Sequence, residues 1–178
     1  MTRHPRLEGY AAVFWAIGKQ PKQDFYQRIA PGAFAESIRT DEILALWKHD
    51  LALELGDVLS LKENSRGLTF EIQPFEGRRW IDSAIAEIRD GTVRGMSTGY
   101  RILEYRDDLL ARGLVRTVLR ADLLEISPVC FPNVLETRVH LVERAVAEPL
   151  PREDVIRIEP ALVGRPRRHI RAGMVVYC

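Results

Sequence analysis

The sequence lacks most of the features that place a chain in a specialised structural class. It holds only two cysteines in 178 residues, Cys130 and Cys178, which argues against a disulfide framework and favours a reducing compartment. No apolar run approaches the roughly 20 residues that cross a bilayer. Residues 1–6 have no apolar segment of the kind found in signal peptides. We therefore expect no membrane partner.

An excess of charge of one sign is also missing. Lysine and arginine number 26 and aspartate and glutamate 25, so the net charge of +1 gives no bulk attraction to nucleic acid. The four histidines are scattered and no Cys-x-x-Cys pair occurs, so we predict neither a metal site nor another cofactor. With 46% apolar and 29% charged residues, the composition is that of one ordinary globular domain.

The spacing of apolar residues predicts an α+β fold that is mainly β, with a few helices. Residues 78–90 carry apolar side chains at the helical period, which predicts a core-packing helix. Pro31 suits the first position of a shorter helix over residues 31–39. Strands are predicted at residues 7–17, 25–29, 43–48, 53–61, 68–73, 93–105 and 114–129. Loops are predicted at residues 18–24 and 107–113.

The composition changes near the end of the predicted domain. Residues 1–145 are predicted to fold together, whereas residues 146–178 are rich in proline and arginine and lack a clear period. We interpret residues 146–178 as a tail outside the core. Its basic run at 165–171 is typical of a solvated segment, and docking onto an acidic partner is the alternative. A strand at residues 155–158 or 174–177 would instead tie the tail to the core.

Three polar residues stand within apolar, strand-like segments. Ser97 lies in Gly-Met-Ser-Thr-Gly, His49 follows the apolar run of Leu-Ala-Leu-Trp-Lys, and Glu125 lies in Leu-Leu-Glu-Ile-Ser-Pro-Val. A hydroxyl, an imidazole and a carboxylate are the parts of a serine-nucleophile triad, which is recognised by geometry and not by chain order. An ordinary structural explanation also exists, since a small residue in a glycine-flanked strand often marks close backbone approach.

The acid of such a triad has more than one candidate. Glu125 is favoured, because a carboxylate in an apolar strand is rarely buried without a partner. Asp122 and Asp50 are the rivals. Side chains alternate between the faces of a strand, so only one of Asp122 and Glu125 can face His49. Cys130 is predicted to be a small core residue and not a second nucleophile. No chemistry is assigned to the other histidines, His4, His140 and His169.

Five blocks of sequence, taken in order, resemble the prohead (capsid-maturation) serine proteases of tailed phages. The blocks are Gly-Tyr-Ala-Ala-Val-Phe from residue 9, Ile-Ala-Pro-Gly-Ala-Phe from 29, Trp-Lys-His-Asp from 47, Met-Ser-Thr-Gly-Tyr from 96 and Leu-Glu-Ile-Ser-Pro-Val from 124. The ordered set is specific, although no single block is, and it covers roughly residues 7–135. The resemblance implies a fold similar to herpesvirus assemblin, a β-barrel flanked by a few helices.

The resemblance also implies a site and an activity. Ser97 would be the nucleophile, His49 the base and Glu125 the acid. Because the herpesvirus enzymes use a second histidine as third member, His140 stays a remote alternative. The implied protein is a serine endopeptidase that cleaves the major capsid protein and the scaffold, and often itself, inside the immature capsid in the host cytoplasm. Nucleic acid is not an expected partner. A homo-oligomer is compatible with the family resemblance.

Two other functions are alternatives to this one. The first is a non-catalytic capsid-assembly or scaffold-like protein that keeps the fold. The simultaneous presence of Ser97, His49 and Glu125 favours the enzyme, since a relic would tend to lose one of them. The second is an esterase that uses the Gly-x-Ser-x-Gly string. That motif needs a strand–turn–helix context with the histidine after the serine, whereas His49 precedes Ser97.

Overall fold

The structure, a computed structural model, describes residues 4–19, 24–143 and 176–177. Within these residues there are two helices, α1 (Ser37–Thr40) and α2 (Arg79–Arg89), and neither is long and apolar enough to cross a membrane. The prediction of a mainly β fold with few helices is confirmed. The ten strands of the described residues are β1 (Arg6–Val13), β2 (Gly18–Lys19), β3 (Tyr26–Ile29), β4 (Leu44–Trp47), β5 (Asp50–Glu63), β6 (Gly67–Pro74), β7 (Gly95–Leu110), β8 (Gly113–Val129), β9 (Arg138–Val142) and β10 (Val176–Tyr177).

The described strands belong to one sheet. Its order is β10-β7-β8-β4-β5-β6-β1-β9, with β3 joined to another part of β8 and β2 paired with β3. β7 and β8 form a long antiparallel hairpin, whereas β4 runs parallel to β8 beside Glu125 and then turns back into antiparallel β5. β8 therefore lies between the strand that carries Ser97 and the strand that leads to His49.

The predicted barrel is not confirmed. The order of the described strands has two ends, β10 and β9, so the ladder of hydrogen bonds does not close. Contacts near the start of β7 nevertheless bring it close to β9. Val139 N–H donates to Arg94 O at 3.2 Å, and the Thr137 hydroxyl is bonded to the backbone of Met96. β9 therefore approaches β7, the strand next to the β10 end, through these isolated contacts and not through a continuous ladder.

Helix α2 packs on the sheet as its apolar period predicts. Its buried residues are Ile81, Ala84, Ile85 and Ile88, and its ends agree with the predicted residues 78–90 to within one residue. Gly91, with φ of 80°, follows the last turn and donates its N–H to Ile88 O at 3.2 Å, as expected for a glycine that ends a helix. The buried residues of α2 belong to a core cluster that also includes Leu7, Ile72, Met96 and Leu123 from four strands.

The helix predicted over residues 31–39 is wrong in its first half. Residues 31–36 form turns, and α1 begins only at Ser37. The carboxylate of Glu63 accepts from the N–H groups of Gly32 at 2.7 Å and Phe34 at 3.1 Å. Gly32 also has φ of 84°, which a helix does not allow. A distant side chain therefore holds this segment in turns, and the local sequence carries no sign of it.

The loop predicted over residues 107–113 is wrong in most of its length. β7 continues to Leu110, and the turn consists of residues 111–112. Asp107 lies opposite Arg116, and its two oxygens accept from the guanidinium at 2.8 and 2.7 Å. Charges that suggest a loop in the sequence are thus a cross-strand ion pair with bidentate geometry.

Three short strands, β2, β9 and β10, lie outside the predicted strands. β2 falls in the predicted loop over residues 18–24, and β9 was not predicted. The predicted tail over residues 146–178 lies outside the described residues, apart from Val176–Tyr177. These two residues form β10, which pairs antiparallel with Tyr100 and Gly99 of β7.

Candidate active site

His49 lies in the tight turn between β4 and β5, directly after Lys48. These residues have φ of 66° and 53°, and positive φ at both central residues is typical of a type I′ turn, which asparagine and glycine usually occupy. Backbone strain of this kind persists only where neighbouring contacts hold it. The contacts come from β8: His49 N–H donates to Ser127 Oγ at 3.1 Å, and Lys48 N–H donates to Pro128 O at 3.3 Å.

The side chain of Lys48 ties the same turn to helix α2. Its ammonium donates to Glu87 Oε2 at 2.7 Å and lies 4.8 Å from the centre of the Trp47 ring. The hydrogen bond to Glu87 raises the pKa of Lys48 above its ordinary value. An ion pair this exposed adds little stability. Its consequence is geometric, because the turn that carries His49 is held by β8 and by α2.

Glu125 is buried in β8, with 4% of its surface exposed. Its Oε1 lies 2.7 Å from His49 Nδ1, and its Oε2 accepts from Ser127 Oγ at 2.6 Å. Since a carboxylate only accepts hydrogen bonds, Nδ1 carries the proton of the first bond. The buried charge is thus paired and hydrogen-bonded, which is the condition under which such burial is tolerated. The bond leaves Nε2 as the ring nitrogen of His49 that can take up a proton.

Gly99, opposite Glu125 in the hairpin, makes room for this carboxylate. A Cβ at position 99 would lie 2.3 Å from Glu125 Oε1 and 3.0 Å from its carboxyl carbon. Any side chain at this position would therefore displace the carboxylate from the place where it meets His49. One of the glycines that flank Ser97 is thus required by the acid.

Ser97 lies in the buried half of β7, with 5% of its surface exposed. It is directly opposite Ser127, in a stretch of the hairpin without a bulge. Opposite residues of an antiparallel pair, and alternate residues along each strand, project from the same face. Ser97 therefore shares a face with Ser127 and Glu125, to which the turn that carries His49 is bonded. The structure brings the three predicted site residues to one face of the sheet.

Ser127 is a component of this cluster that the sequence motifs do not single out. It is fully buried, donates to Glu125 Oε2 and accepts from His49 N–H. Because its single proton is directed at the carboxylate, Ser127 is poorly placed to act as a nucleophile, which leaves Ser97 as the candidate on this face. The available signal was its position two residues after Glu125, which puts both side chains on one face of a strand.

The rival acids and the remote histidine make other contacts. Asp122 is ion-paired with Arg101 across the hairpin. Asp50 is exposed, and its Oδ1 accepts from a backbone N–H two residues later at 2.9 Å. His140 is exposed on β9. The carboxylate that meets His49 is therefore that of Glu125.

The remaining candidates lie outside this cluster. His4 Nε2 lies 3.6 Å from a carboxylate oxygen of Asp82. Cys130 is a partly buried free thiol that packs against the core. His169 lies outside the described residues. In the part of the chain that the structure describes, no group of three or more histidine, cysteine, aspartate or glutamate side chains is arranged to hold a metal ion.

Comparisons with known proteins give one match. The sequence fits the family model described as caudovirus prohead serine protease over residues 1–151. This match extends beyond the five blocks of the sequence and includes every residue of the cluster. A search of curated proteins and a search of solved structures each found no match.

Proposed function

Because the chain belongs to the family of caudovirus prohead serine proteases, we propose that Ser97, His49 and Glu125 are the nucleophile, base and acid of its endopeptidase site. The observation that carries this proposal is the 2.7 Å contact between His49 Nδ1 and Glu125 Oε1, on the face from which Ser97 projects. An imidazole oriented by a buried carboxylate, beside a serine, is the arrangement that activates a hydroxyl for attack.

The roles in the reaction follow from the hydrogen bond that His49 Nδ1 makes with Glu125. His49 Nε2 takes the proton from Ser97 as its Oγ bonds to the scissile carbonyl carbon. Glu125 accepts the Nδ1–H bond throughout and stabilises the imidazolium that forms. The imidazolium then gives its proton to the leaving amine, and an acyl group remains on Ser97. A water molecule, deprotonated by the same nitrogen, releases the acyl group as an acid and restores the hydroxyl of Ser97.

The family membership assigns the reaction to capsid maturation. The substrates that we propose are the major capsid protein and the scaffold, inside the immature capsid in the host cytoplasm, together with the chain itself. Endopeptidases act on extended backbone, and the side of β7 that faces away from β8 lies beside Ser97 and is paired with β10 at Gly99 and Tyr100. A substrate segment can add to such an edge as a further strand.

Coexpression with the capsid and scaffold proteins of the same genome tests this function. We expect cleavage of both with the wild-type chain and none with Ser97→Ala. The matched control is Ser65→Ala, which removes an exposed hydroxyl from a turn and should cleave as the wild type does. Cleavage that persists with Ser97→Ala would refute the assigned nucleophile. Shells that assemble only in the presence of the chain, without any cleavage, would establish the non-catalytic alternative.

A further inference from the structure

We propose that Ser127 is a positioning residue that holds the acid and the base in register, a role that rests on the proposed function. Its hydroxyl donates to Glu125 Oε2 at 2.6 Å and accepts from His49 N–H at 3.1 Å. One oxygen atom thus joins the carboxylate to the backbone of the residue that carries the imidazole. Ser127 is fully buried, so its action on a substrate is indirect.

The two bonds have different consequences. The donated bond fixes the second carboxylate oxygen and keeps Oε1 of Glu125 directed at His49 Nδ1. The accepted bond satisfies the His49 amide and holds the strained turn against β8. Without the Ser127 hydroxyl, a buried carboxylate loses a charge-assisted hydrogen bond and a backbone N–H loses its acceptor. Both losses fall beside the reacting groups, so they should lower kcat and leave KM unchanged.

Ser127→Ala is the first test, with Ser37→Ala as its matched control. Ser37 is 1% exposed, and its Oγ accepts from the N–H of Leu123 in β8 at 3.0 Å, a bond that involves neither Glu125 nor His49. Both variants therefore remove a buried hydroxyl from the surroundings of β8. We expect Ser127→Ala to lower kcat about 10- to 100-fold, the usual effect of a hydrogen bond to a charged group. Ser37→Ala should lose stability but keep its kcat.

A spectroscopic measurement separates positioning from general packing. The Nδ1–H proton of His49 that is shared with Glu125 should give a far-downfield proton resonance in the wild type. We expect this resonance to move or vanish in Ser127→Ala and to stay in place in Ser37→Ala. Ser127→Thr, which keeps the hydroxyl, should restore both the resonance and kcat. Ser127→Cys preserves the volume with a weaker donor and serves if the alanine variant does not fold.

Two outcomes decide the proposal. Equal losses of kcat in Ser127→Ala and Ser37→Ala, with the downfield resonance unchanged in both, would show that Ser127 only supports the fold. A wild-type chain that folds but neither cleaves peptide nor reacts at Ser97 would instead refute the proposed function, and the two failures are therefore distinguishable.

A different observation concerns the outer edge of β7, which parts of the same chain cover on both sides of Ser97. Before Ser97, the N–H and C=O of Met96 are both bonded to the Thr137 hydroxyl, at 3.1 and 2.8 Å. After it, β10 pairs antiparallel with Gly99 and Tyr100. An extended peptide that pairs with this edge beside Ser97 would therefore have to occupy the part of β7, Gly99 and Tyr100, that β10 already pairs with.

The register identifies which part of a substrate β10 replaces. Gly99 lies two residues after Ser97, so in an antiparallel partner the residue opposite Gly99 lies two residues before the residue opposite Ser97. Tyr177 holds that place, and Val176 precedes it. We also propose that β10 covers the binding edge on the N-terminal side of the scissile bond, so that a substrate must displace it. This regulation likewise rests on the proposed function.

Proline substitutions remove β10 without shortening the chain, because proline cannot donate to a ladder. We expect the double variant Val176→Pro and Tyr177→Pro to lower KM for an extended peptide severalfold and to leave kcat unchanged. The rate of reaction with a small phosphonate, which does not reach β10, should not change. Val155→Pro with Ile156→Pro, elsewhere in the predicted tail, is the matched control and should keep the wild-type KM. The kinetics are measured on freshly prepared chains that mass spectrometry shows to be intact, before any self-cleavage of the tail removes β10.

A peptide added in trans gives the independent measurement. The synthetic peptide Ala-Gly-Met-Val-Val-Tyr-Cys, residues 172–178, should inhibit the proline variant competitively, and the same peptide with the two prolines should not. An unchanged KM in the proline variant, together with no inhibition by the peptide, would refute this role of β10. Absence of any reaction at Ser97 in both chains would refute the proposed function instead.

Discussion

The carboxylate of Glu125 occupies space that any side chain at position 99 would fill, and this makes Gly99 a sharp test at the scale of single residues. Gly99→Ala places a Cβ 2.3 Å from Glu125 Oε1, so the carboxylate must move away from His49. We expect kcat to fall roughly 100-fold, as for other misplacements of about 1 Å. Peptide hydrolysis and thermal unfolding, measured together, check this expectation.

The matched control for that variant is Gly77→Ala. Position 77 has φ of 75°, and nothing lies within 4 Å of the added Cβ. Alanine there is strained by roughly 1 kcal/mol, which should lower stability without changing kcat. A Gly99→Ala chain that keeps wild-type kcat would contradict the conclusion that the Glu125 carboxylate needs the space at position 99.

Glu125→Gln tests the acid itself. Glutamine keeps the shape of the side chain, so the fold should persist, but it neither stabilises an imidazolium nor fixes the tautomer of His49. We expect kcat to fall on the order of 10⁴-fold, as in other triads, and less than in Ser97→Ala. Hydrolysis rates of the two variants, with circular dichroism as the check on folding, measure the difference. Wild-type rates in Glu125→Gln would transfer the role to another group.

Residues of the proposed site divide into those that the sequence predicts and those that it does not. Ser97, His49 and Glu125 are polar residues in apolar segments, and this contrast can be recognised in the sequence alone. Ser127 and Gly99 acquire their roles from the register of β7 on β8, which puts each beside a partner in the other strand. The register between two strands depends on tertiary packing, so it cannot be predicted from the sequence of either strand alone.

At the scale of elements, the hairpin of β7 and β8 shows how charged residues extend a strand. Arg116 pairs with Asp107 and stacks its guanidinium on the rings of Tyr105 and Phe25, at 3.8 and 4.6 Å from their centres. The bond from Arg116 holds the pKa of Asp107 below its ordinary value. Its stabilisation is therefore present above the unfolded-state pKa and is lost as the pH falls through the folded-state value.

Asp107→Asn should remove that contribution. We expect the free energy of unfolding to fall slightly at neutral pH, because a partly exposed pair is screened, and its decline below about pH 4 to become shallower. Urea unfolding as a function of pH measures both effects. Asp57→Asn, which alters an exposed carboxylate of β5, is the control, and its stability should decline at low pH as that of the wild type does. The same decline at low pH in Asp107→Asn and in the wild type would contradict a stabilising ion pair between Asp107 and Arg116.

Elements with strong local periods were predicted well, and those set by distant contacts were not. Helix α2 and the long strands follow from apolar spacing. Residues 31–36 were wrongly predicted as helix, because Glu63 holds their N–H groups from 31 residues away in the chain. The turn of the β7–β8 hairpin was predicted too long, because a cross-strand ion pair resembles a polar loop when only the sequence is read.

At the scale of the whole molecule, the boundary of the folded domain stays a prediction. We expect a chain that ends at Glu148 to fold and to react with a phosphonate at Ser97. Because proline-punctuated segments are typical sites of nicking, the active enzyme should clip itself between residues 145 and 171, and Ser97→Ala should stay intact. Mass spectrometry after long incubation checks the clip. A wild-type chain that stays whole, with a truncated chain that does not fold, would make residues 146–178 part of the core.

The position of a phosphonate adduct on the folded chain tests the assignment of Ser97 as the nucleophile most directly. We expect a single adduct, found by peptide mapping on the segment that contains Ser97. It should be absent in Ser97→Ala and should form much more slowly in His49→Ala and Glu125→Gln, with all variants folded. An adduct on another serine such as Ser127, or no adduct on the folded wild-type chain, would contradict the triad.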